Sequence, residues 1–430
     1  MKVLIVPPEE FVPRAYPLSA IFQYHQACAL RGAGLEVMVV SVTPSIAVKP
    51  VCISLVRKVC GLQTFYNPVW GKGVIGIVRT LLTSVFAAAE CKEELLEGLS
   101  LVRVRLPCWS DITPEEGLAY YERCVRSGYR VLTARHGKPD IVHVHNAWLA
   151  GTALMPLARE EGLPYCLTEH STYYARDLIP ARFYPHLRKV YAASALNMTV
   201  SPSLGELLEA RGLLTGGYRV LPNVLDPRFE QAPPAPLPGG RPIVLLTVGE
   251  LTAKKGHAVL LQAFARAFAG HPDVRLTIVG DGDLRDELPR TAEACGVAGQ
   301  VTFAGRLDRE AVLESMRTCH LFVLPSIVET FGVVVIEALA CGRPVVCTIC
   351  GGPEDIVQEG DGVLVKADDA EALADAMSEM VAGLSRYSPD SIRARAIARY
   401  GSAGFLSAMT EVYSSITGKP VVCNGAPALS

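Results

Sequence analysis

The sequence predicts an α/β protein built as two parallel-sheet domains that face a central cleft. Three observations carry this expectation. Short β-branched runs alternate with helix-patterned segments along both halves, which marks βαβ units and therefore parallel sheets. The stretch from 222 to 242, PNVLDPRFEQAPPAPLPGGRP, holds seven prolines and separates the two series. That density suits neither a helix nor a central strand, so it reads as a semi-rigid linker. The chain also has 430 residues, more than one core needs.

In chain order, Val3–Val6 is a buried strand by length and β-branching. Ser19–Arg31 has helical spacing and stops at Gly32, and Glu36–Val42 reads as the second strand. Residues 43–135 resist assignment, because Pro and aromatic residues interrupt any period. Ile141–His145, Tyr165–Thr168 and Met198–Ser201 continue the strands. Beyond the linker come strand Ile243–Val248, helix His257–Phe268, strand Arg275–Val279 and helix Leu284–Cys295. Strand Val301–Phe303, helix Arg309–Thr318, strand Leu321–Leu324, helix Val333–Ala340 and strand Pro344–Cys347 follow. The expected division is residues 1–222, linker 223–241, second domain 242–400, and a terminal helix and tail over 401–430 placed to pack back on the first domain. Such a pair of sheets binds ligands beyond the carboxyl ends of its strands.

Composition narrows the function classes. Half the residues are apolar and 20% are charged, as in a folded globular chain. The net charge of −2 excludes a strongly basic nucleic-acid binder. Residues 1–200 carry 21 basic and 16 acidic side chains, or +5, and the remainder 20 and 27, or −7. A basic first half fits an anionic partner such as a membrane surface, or ordinary scatter. Met1-Lys2 runs straight into a strand with no secretory apolar region. The expectation is therefore a cytoplasmic protein with reduced thiols, in peripheral contact at most with the inner face of the membrane. Cys347 and Cys350 form a lone Cys-x-x-Cys without a second pair, which argues against zinc. The segment 73–89, GVIGIVRTLLTSVFAAA, is interrupted by Arg79 and too short to span a bilayer. It reads as a buried helix or as a surface element dipping into lipid.

Four turns after strands in the second half can carry chemistry. The densest is Pro325-Ser-Ile-Val-Glu-Thr-Phe-Gly-Val-Val-Val-Ile-Glu337, where a strand ends, Gly332 permits close backbone approach and a helix begins. The unpaired N–H groups at that helix start favour an anion. Glu329 and Glu337 repel a phosphate and are better suited to sugar hydroxyls; the plain alternative is a helix cap and a solvated face. Val248-Gly-Glu-Leu-Thr-Ala-Lys-Lys-Gly-His257 offers Lys254 and Lys255 as point cations for a diphosphate, or merely an exposed basic loop. Val279-Gly280-Asp281-Gly282-Asp283 is a glycine turn lacking the full dinucleotide pattern. Cys350-Gly-Gly-Pro-Glu354 can line a pocket with backbone N–H groups. In the first half, His170 follows one strand and His143 and His145 end another. Histidines at strand ends are more often structural than catalytic, but two such ends facing one cleft shift the balance.

Taken together these segments resemble the retaining nucleotide-sugar glycosyltransferases of family four, which have the two-domain GT-B fold with Rossmann-like halves. PSIVETFGVVVIEALACGRPVV is similar to that family's signature of two glutamates separated by seven residues, followed by Gly-x-Pro before a strand. VGELTAKKGH resembles its donor-phosphate loop, IVGDGDL its glycine turn, PDIVHVH and VLPNVLD its amino-domain and linker motifs. VPPEEFVPRAYPLSAIFQYHQACAL resembles the acceptor-side start of a subgroup.

The resemblance implies a donor substrate, a UDP- or GDP-sugar, and no cofactor or metal. By position, Lys255 would contact the diphosphate. Glu329 would hold the transferred sugar, with backbone contacts from Phe331, Gly332 and Val333. Glu337 would bind the ribose, the backbone at Arg306 and Leu307 the base, with Gly280 and Gly282 in the adjoining turn. His170 would lie across the cleft near the sugar. Asp281 and Asp283 belong to the shared glycine turn and are read as a turn, not a metal site. The acceptor would be a glycan, a lipid-linked or a small-molecule hydroxyl. The implied chemistry is transfer with retention at the anomeric carbon.

Two positions depart from the family pattern. Glu250 stands where arginine is usual, and Leu18-Ser-Ala20 replaces a glycine-rich turn. Two other readings stay open at this point: a phosphorylase or sugar-nucleotide hydrolase on the same fold, and a non-catalytic accessory subunit.

Overall fold

The computed structural model describes residues 1–12, 21–60, 62, 69, 72–85 and 89–421. Leu18–Ala20, the end of the apolar segment at 86–88 and the tail from 422 lie outside the described residues. The first sheet contains β1 (Lys2–Val6), β2 (Glu36–Val42), β3 (Glu90–Leu96), β4 (Leu99–Arg105), β5 (Ile141–His145), β6 (Tyr165–Glu169), β7 (Leu196–Thr199) and β8 (Arg219–Val220). Its order is β3-β4-β2-β1-β5-β6-β7-β8, parallel except for the β3/β4 hairpin. The second sheet contains β9 (Ile243–Val248), β10 (Val274–Val279), β11 (Val301–Gly305), β12 (Leu321–Leu324), β13 (Val345–Ile349) and β14 (Gly362–Lys366). Its order is β11-β10-β9-β12-β13-β14, parallel throughout. Both are the doubly wound sheets expected from the alternating pattern.

Several boundaries differ from expectation for identifiable reasons. The helix expected from Leu284 begins only at Leu288, with Pro289 in its first turn, because Leu284 and Glu287 are spent in tight turns. Residues 43–135 hold two helices, Val48–Val59 and Val74–Val85, the β3/β4 hairpin and the helix Pro114–His136. The hairpin turns at Glu97 and Gly98, both at positive φ (46° and 81°), a geometry that suits the twist of the strands it joins. Thr113 and Glu116 form a reciprocal cap that starts the long helix.

The proline-rich stretch is pinned rather than loose. The guanidinium of Arg393 donates to the carbonyls of Phe229, Glu230 and Ala232, and that of Arg343 to those of Ala235 and Pro236. The carboxylate of Glu230 accepts the N–H and hydroxyl of Ser402, capping the terminal helix Ser402–Thr417. That helix lies on the first domain, where Phe405, Met409, Val412 and Tyr413 join a core with Val3, Ile5, Ala27 and Leu30. The crossover makes the two halves share their last element.

Candidate functional site

The carboxyl ends of β9 and β12 bring the two most informative loops together. Lys255 ends a single 3₁₀ turn after β9, and Glu329 sits in the loop after β12. The Lys255 ammonium donates to Glu329 Oε1, which also accepts from Ser326 Oγ at 3.0 Å. Ile327 N–H donates to the Lys254 carbonyl at 2.7 Å, so the loops are joined by backbone as well. Burial, then the neighbouring Lys255 charge, lowers the Lys254 pKa, while Glu250 and Glu329 act in the other direction. Glu250 itself is exposed.

The Cys350-Gly-Gly-Pro-Glu354 turn cradles the Glu329 loop. Glu329 N–H donates to Cys350 O at 3.0 Å, and Glu354 accepts the N–H groups of Cys350 and Gly351. A methyl group on Gly352 would meet the Phe331 backbone at 2.4 Å, so only glycine admits this packing. Phe331 points its ring into the core against Tyr400. Gly332, at φ 102°, forms the N-cap of Val333–Ala340, with Val333 half-buried in its first turn. On the other flank Gly280 N–H donates to Gly305 O at 2.9 Å, setting Gly280 and Gly282 beside Arg306 and Leu307. Asp281 in this turn is held by Arg306 at 3.5 Å and Arg285 at 3.7 Å.

Glu337 is placed differently from its neighbours. It is 1% exposed and buried against Arg309, which also donates to Asp226 Oδ2 at 2.9 Å. His25 Nε2 lies 3.6 Å from the same Asp226 oxygen. The helix Ile21–Gly32, the linker and the second domain thus meet in one buried polar chain. Burial raises the Glu337 pKa against the opposing pull of Arg309.

Across the cleft the first domain grips the same loop. Thr330 Oγ1 donates to the His170 carbonyl at 2.7 Å, and Ser201 Oγ donates to the Thr330 carbonyl at 2.8 Å. His170 is buried, with Nε2 2.9 Å from His145 Nδ1 and its ring on Phe22. Glu169, fully buried, accepts the N–H groups of Ala147, His170 and Ser171 and the hydroxyl of Tyr191. Asn146 holds φ at 68° and accepts His170 N–H through Oδ1 at 2.8 Å. Burial raises the Glu169 pKa, and these donors counter it.

Comparison with known proteins decides the family. A profile described as Glycosyl transferases group 1 matches residues 229–392, and one described as Glycosyltransferase Family 4 matches 84–229. The chain is 32% identical over 290 residues to 2-deoxystreptamine N-acetyl-D-glucosaminyltransferase of Streptomyces fradiae, covering 60% of this chain and 67% of the relative. The chain belongs to the family 4 glycosyltransferases. Glycogen synthase of Mycobacterium tuberculosis is 29% identical over 373 residues, 83% of this chain and 81% of that one. Among solved structures, sucrose-phosphate synthase from Thermosynechococcus elongatus matches with a TM-score of 0.73 at 19% identity, over 97% of this chain and 100% of that one. Anabaena Alr3699/HepE in complex with UDP and glucose matches with a TM-score of 0.65 at 16% identity, over 96% of this chain and 100% of that one. The fold is GT-B, and the protein is a glycosyltransferase.

Within this glycosyltransferase the structure gathers Lys255, Glu329, Phe331, Gly332 and the His170 carbonyl around the loop after β12, and places Gly280, Gly282, Arg306 and Leu307 in the turns after β10 and β11. Sequence reading passed over Asn146, Glu169 and Arg309. Glu169 and Asn146 had a signal, since each directly follows or ends a strand whose histidine was noticed. Arg309 had none, because it meets Glu337 only through tertiary packing.

Proposed function

We propose that this glycosyltransferase moves a sugar from a nucleoside diphosphate, UDP or GDP, to a hydroxyl acceptor with retention of anomeric configuration and without a metal. Glycan, polysaccharide or glycolipid synthesis is its setting. The observation that carries the reading is the Lys255–Glu329 pair, a cation and a carboxylate at the carboxyl ends of adjacent strands, tethered across the cleft through Thr330 and His170.

In this reading Lys255 exchanges Glu329 for the donor diphosphate and offsets its charge as the glycosidic bond breaks. The N-terminus of Val333–Ala340 adds unpaired N–H groups on the same side. Glu329, released, accepts from hydroxyls of the transferred sugar, and Glu337 serves the ribose. His170 faces the sugar from the acceptor domain. The departing phosphate oxygen takes the acceptor's proton on the face it leaves, so the new bond keeps the old configuration. Closure of the two domains excludes water that would divert the sugar to hydrolysis.

Thermal stabilisation by UDP, GDP, ADP and their sugar conjugates in the presence of a chelator tests the donor. A ligand at about 100 times its Kd stabilises the fold by about 2.7 kcal/mol. One base responding, together with an α-configured product from an α-configured donor by NMR, is the expected result. Silence across the panel overturns the reading and brings forward a non-catalytic subunit with Glu250 as the lesion. Turnover with phosphate in place of a hydroxyl acceptor brings forward a phosphorylase.

A further inference from the structure

No aspartate or glutamate occurs between residues 37 and 89, although Lys49, Arg57, Lys58, Lys72 and Arg79 all do. The two helices of this stretch, Val48–Val59 and Val74–Val85, pack on each other around a small core of Val51, Val69 and Ile77. The second helix buries Ile77 but leaves most of its apolar side chains on the outside. Its inward face carries Thr80 and Ser84, whose hydroxyls donate back to the carbonyls of Gly76 and Thr80 at 2.8 Å. Its outward face carries Ile75 (87% exposed), Val78, Leu82 (52%) and Val85, at i, i+3, i+7 and i+10. The first helix exposes Ile53, Val56 and Val59 (69%). Trp109 (68% exposed) sits at its rim, where the Trp109 carbonyl accepts Lys49 N–H at 2.8 Å.

Scattered apolar side chains on a surface need no explanation, but ordered outward stripes on two adjoining helices do. We propose that this helix pair is the face with which the first domain docks on an anionic membrane surface. Neither helix is long and apolar enough to cross a bilayer, so both lie in the interface plane. The stripes enter the acyl boundary and Trp109 sits at headgroup depth. The choice of occupant rests on charge. An apolar protein partner would cover the stripes without calling for a segment stripped of acid, whereas anionic headgroups reward every lysine and arginine and penalise every carboxylate. Lys49 approaches Glu116 at 4.0 Å and Lys72 donates to Thr80, so the docked state works with the summed charge of the segment rather than with one residue.

The location gives the docking a consequence. Val48 N–H donates to Cys108 O at 3.0 Å just beyond the carboxyl end of β4, the edge of the sheet at which His145 and His170 also stand. A membrane on this face borders the acceptor side of the cleft.

Flotation of the full chain with vesicles tests the proposal. Vesicles of phosphatidylcholine and phosphatidylglycerol in equal parts are expected to carry the protein at least tenfold more than phosphatidylcholine alone, with the difference shrinking as salt is raised. Ile75→Ser with Leu82→Ser is expected to abolish flotation while leaving the melting point and the nucleotide-induced shift in place, since both side chains face outward. Lys58→Glu with Arg79→Glu is expected to abolish it for anionic vesicles too. Wild-type protein that does not float, or serine and glutamate variants that float like wild type, overturn the proposal. A wild-type dimer in light scattering that the serine variant converts to monomer also overturns it and assigns the face to a second copy.

Discussion

His145 Nδ1 and His170 Nε2 lie 2.9 Å apart, so one of two buried imidazoles donates its N–H to the other. The chain continues inward: His143 stacks on His145, and its own nitrogens meet Thr168 Oγ1 at 2.8 Å and the Tyr413 hydroxyl at 2.9 Å. Burial lowers the pKa of His143 and His170 to about 3, takes His145 well below the ordinary value, and lowers His25 to about 4. Each folded pKa lies below the unfolded value of about 6.5. The unfolded chain therefore takes up these protons first, and stability present above pH 6.5 is lost as pH falls towards 3–4. By pH 5.5 the loss is about 1 kcal/mol for each histidine. Glu169 and Glu337, whose pKa values burial raises, act in the opposite sense, but the countering donors and Arg309 limit them and four histidines outnumber them. Urea unfolding at pH 7.5 and 5.5 is expected to show a lower midpoint at the acid pH. A higher midpoint there would mean that the carboxylates dominate.

The elements that sequence alone made legible are those whose pattern is local. Val3–Val6, Ile243–Val248 and Leu321–Leu324 read as strands because β-branched and apolar runs of that length between helical segments leave little else. Glu329 and Lys255 stood out because each follows such a strand. The hairpin strand ECKEELL was not legible, since an edge strand rich in charge looks like a helix face until its partner is known. Val74–Val85 lies inside the apolar segment 73–89 that read as a helix, but the side to which its apolar residues turn was not legible, because that depends on packing against Val48–Val59. Glu337 read as a free carboxylate because Arg309 reaches it from another helix.

Glu329→Ala is expected to lower kcat by at least about 10²-fold, as removal of a group that contacts the reacting sugar in the transition state should. Lys255→Ala is expected to raise the donor Kd more than it lowers the melting point. Because the two side chains hold each other in the free protein, either single change leaves a largely buried charge without its ionic partner. The double variant separates this from catalysis: it should regain stability relative to the singles while staying inactive. Unchanged kcat for Glu329→Ala would remove that residue from the machinery.

Arg309→Met leaves Glu337 and Asp226, each 1% exposed, buried without their shared cation. Breaking a buried pair by removing one partner costs about 3–5 kcal/mol, and thermal or urea unfolding should show it. Adding Glu337→Leu to Arg309→Met removes one of the stranded carboxylates and should recover part of the loss. Donor binding by the same double variant then separates two roles of Glu337. Weak nucleotide binding in a restored fold assigns it to the ribose, and full binding makes it a purely structural partner of Arg309.

Gly256 sets the position of Lys255 and can be tested against a matched control. It holds φ at 67°, and a methyl group there would lie 2.0 Å from the Pro325 carbonyl oxygen, in the loop that leads to Glu329. Gly162 holds nearly the same φ, 60°, with nothing within 4 Å. Alanine at Gly162 therefore introduces only the left-handed backbone strain, about 1–2 kcal/mol. Alanine at Gly256 adds a clash with backbone that has no flexible end to move aside. The turn must lift away from Pro325, stretching the 2.7 Å bond from Ile327 N–H to the Lys254 carbonyl and drawing Lys255 off Glu329. Both variants are expected to melt lower than wild type, Gly256→Ala by the larger margin. Only Gly256→Ala is expected to lose the nucleotide-induced thermal shift. Equal nucleotide response in the two variants would show that the donor tolerates a displaced Lys255 loop.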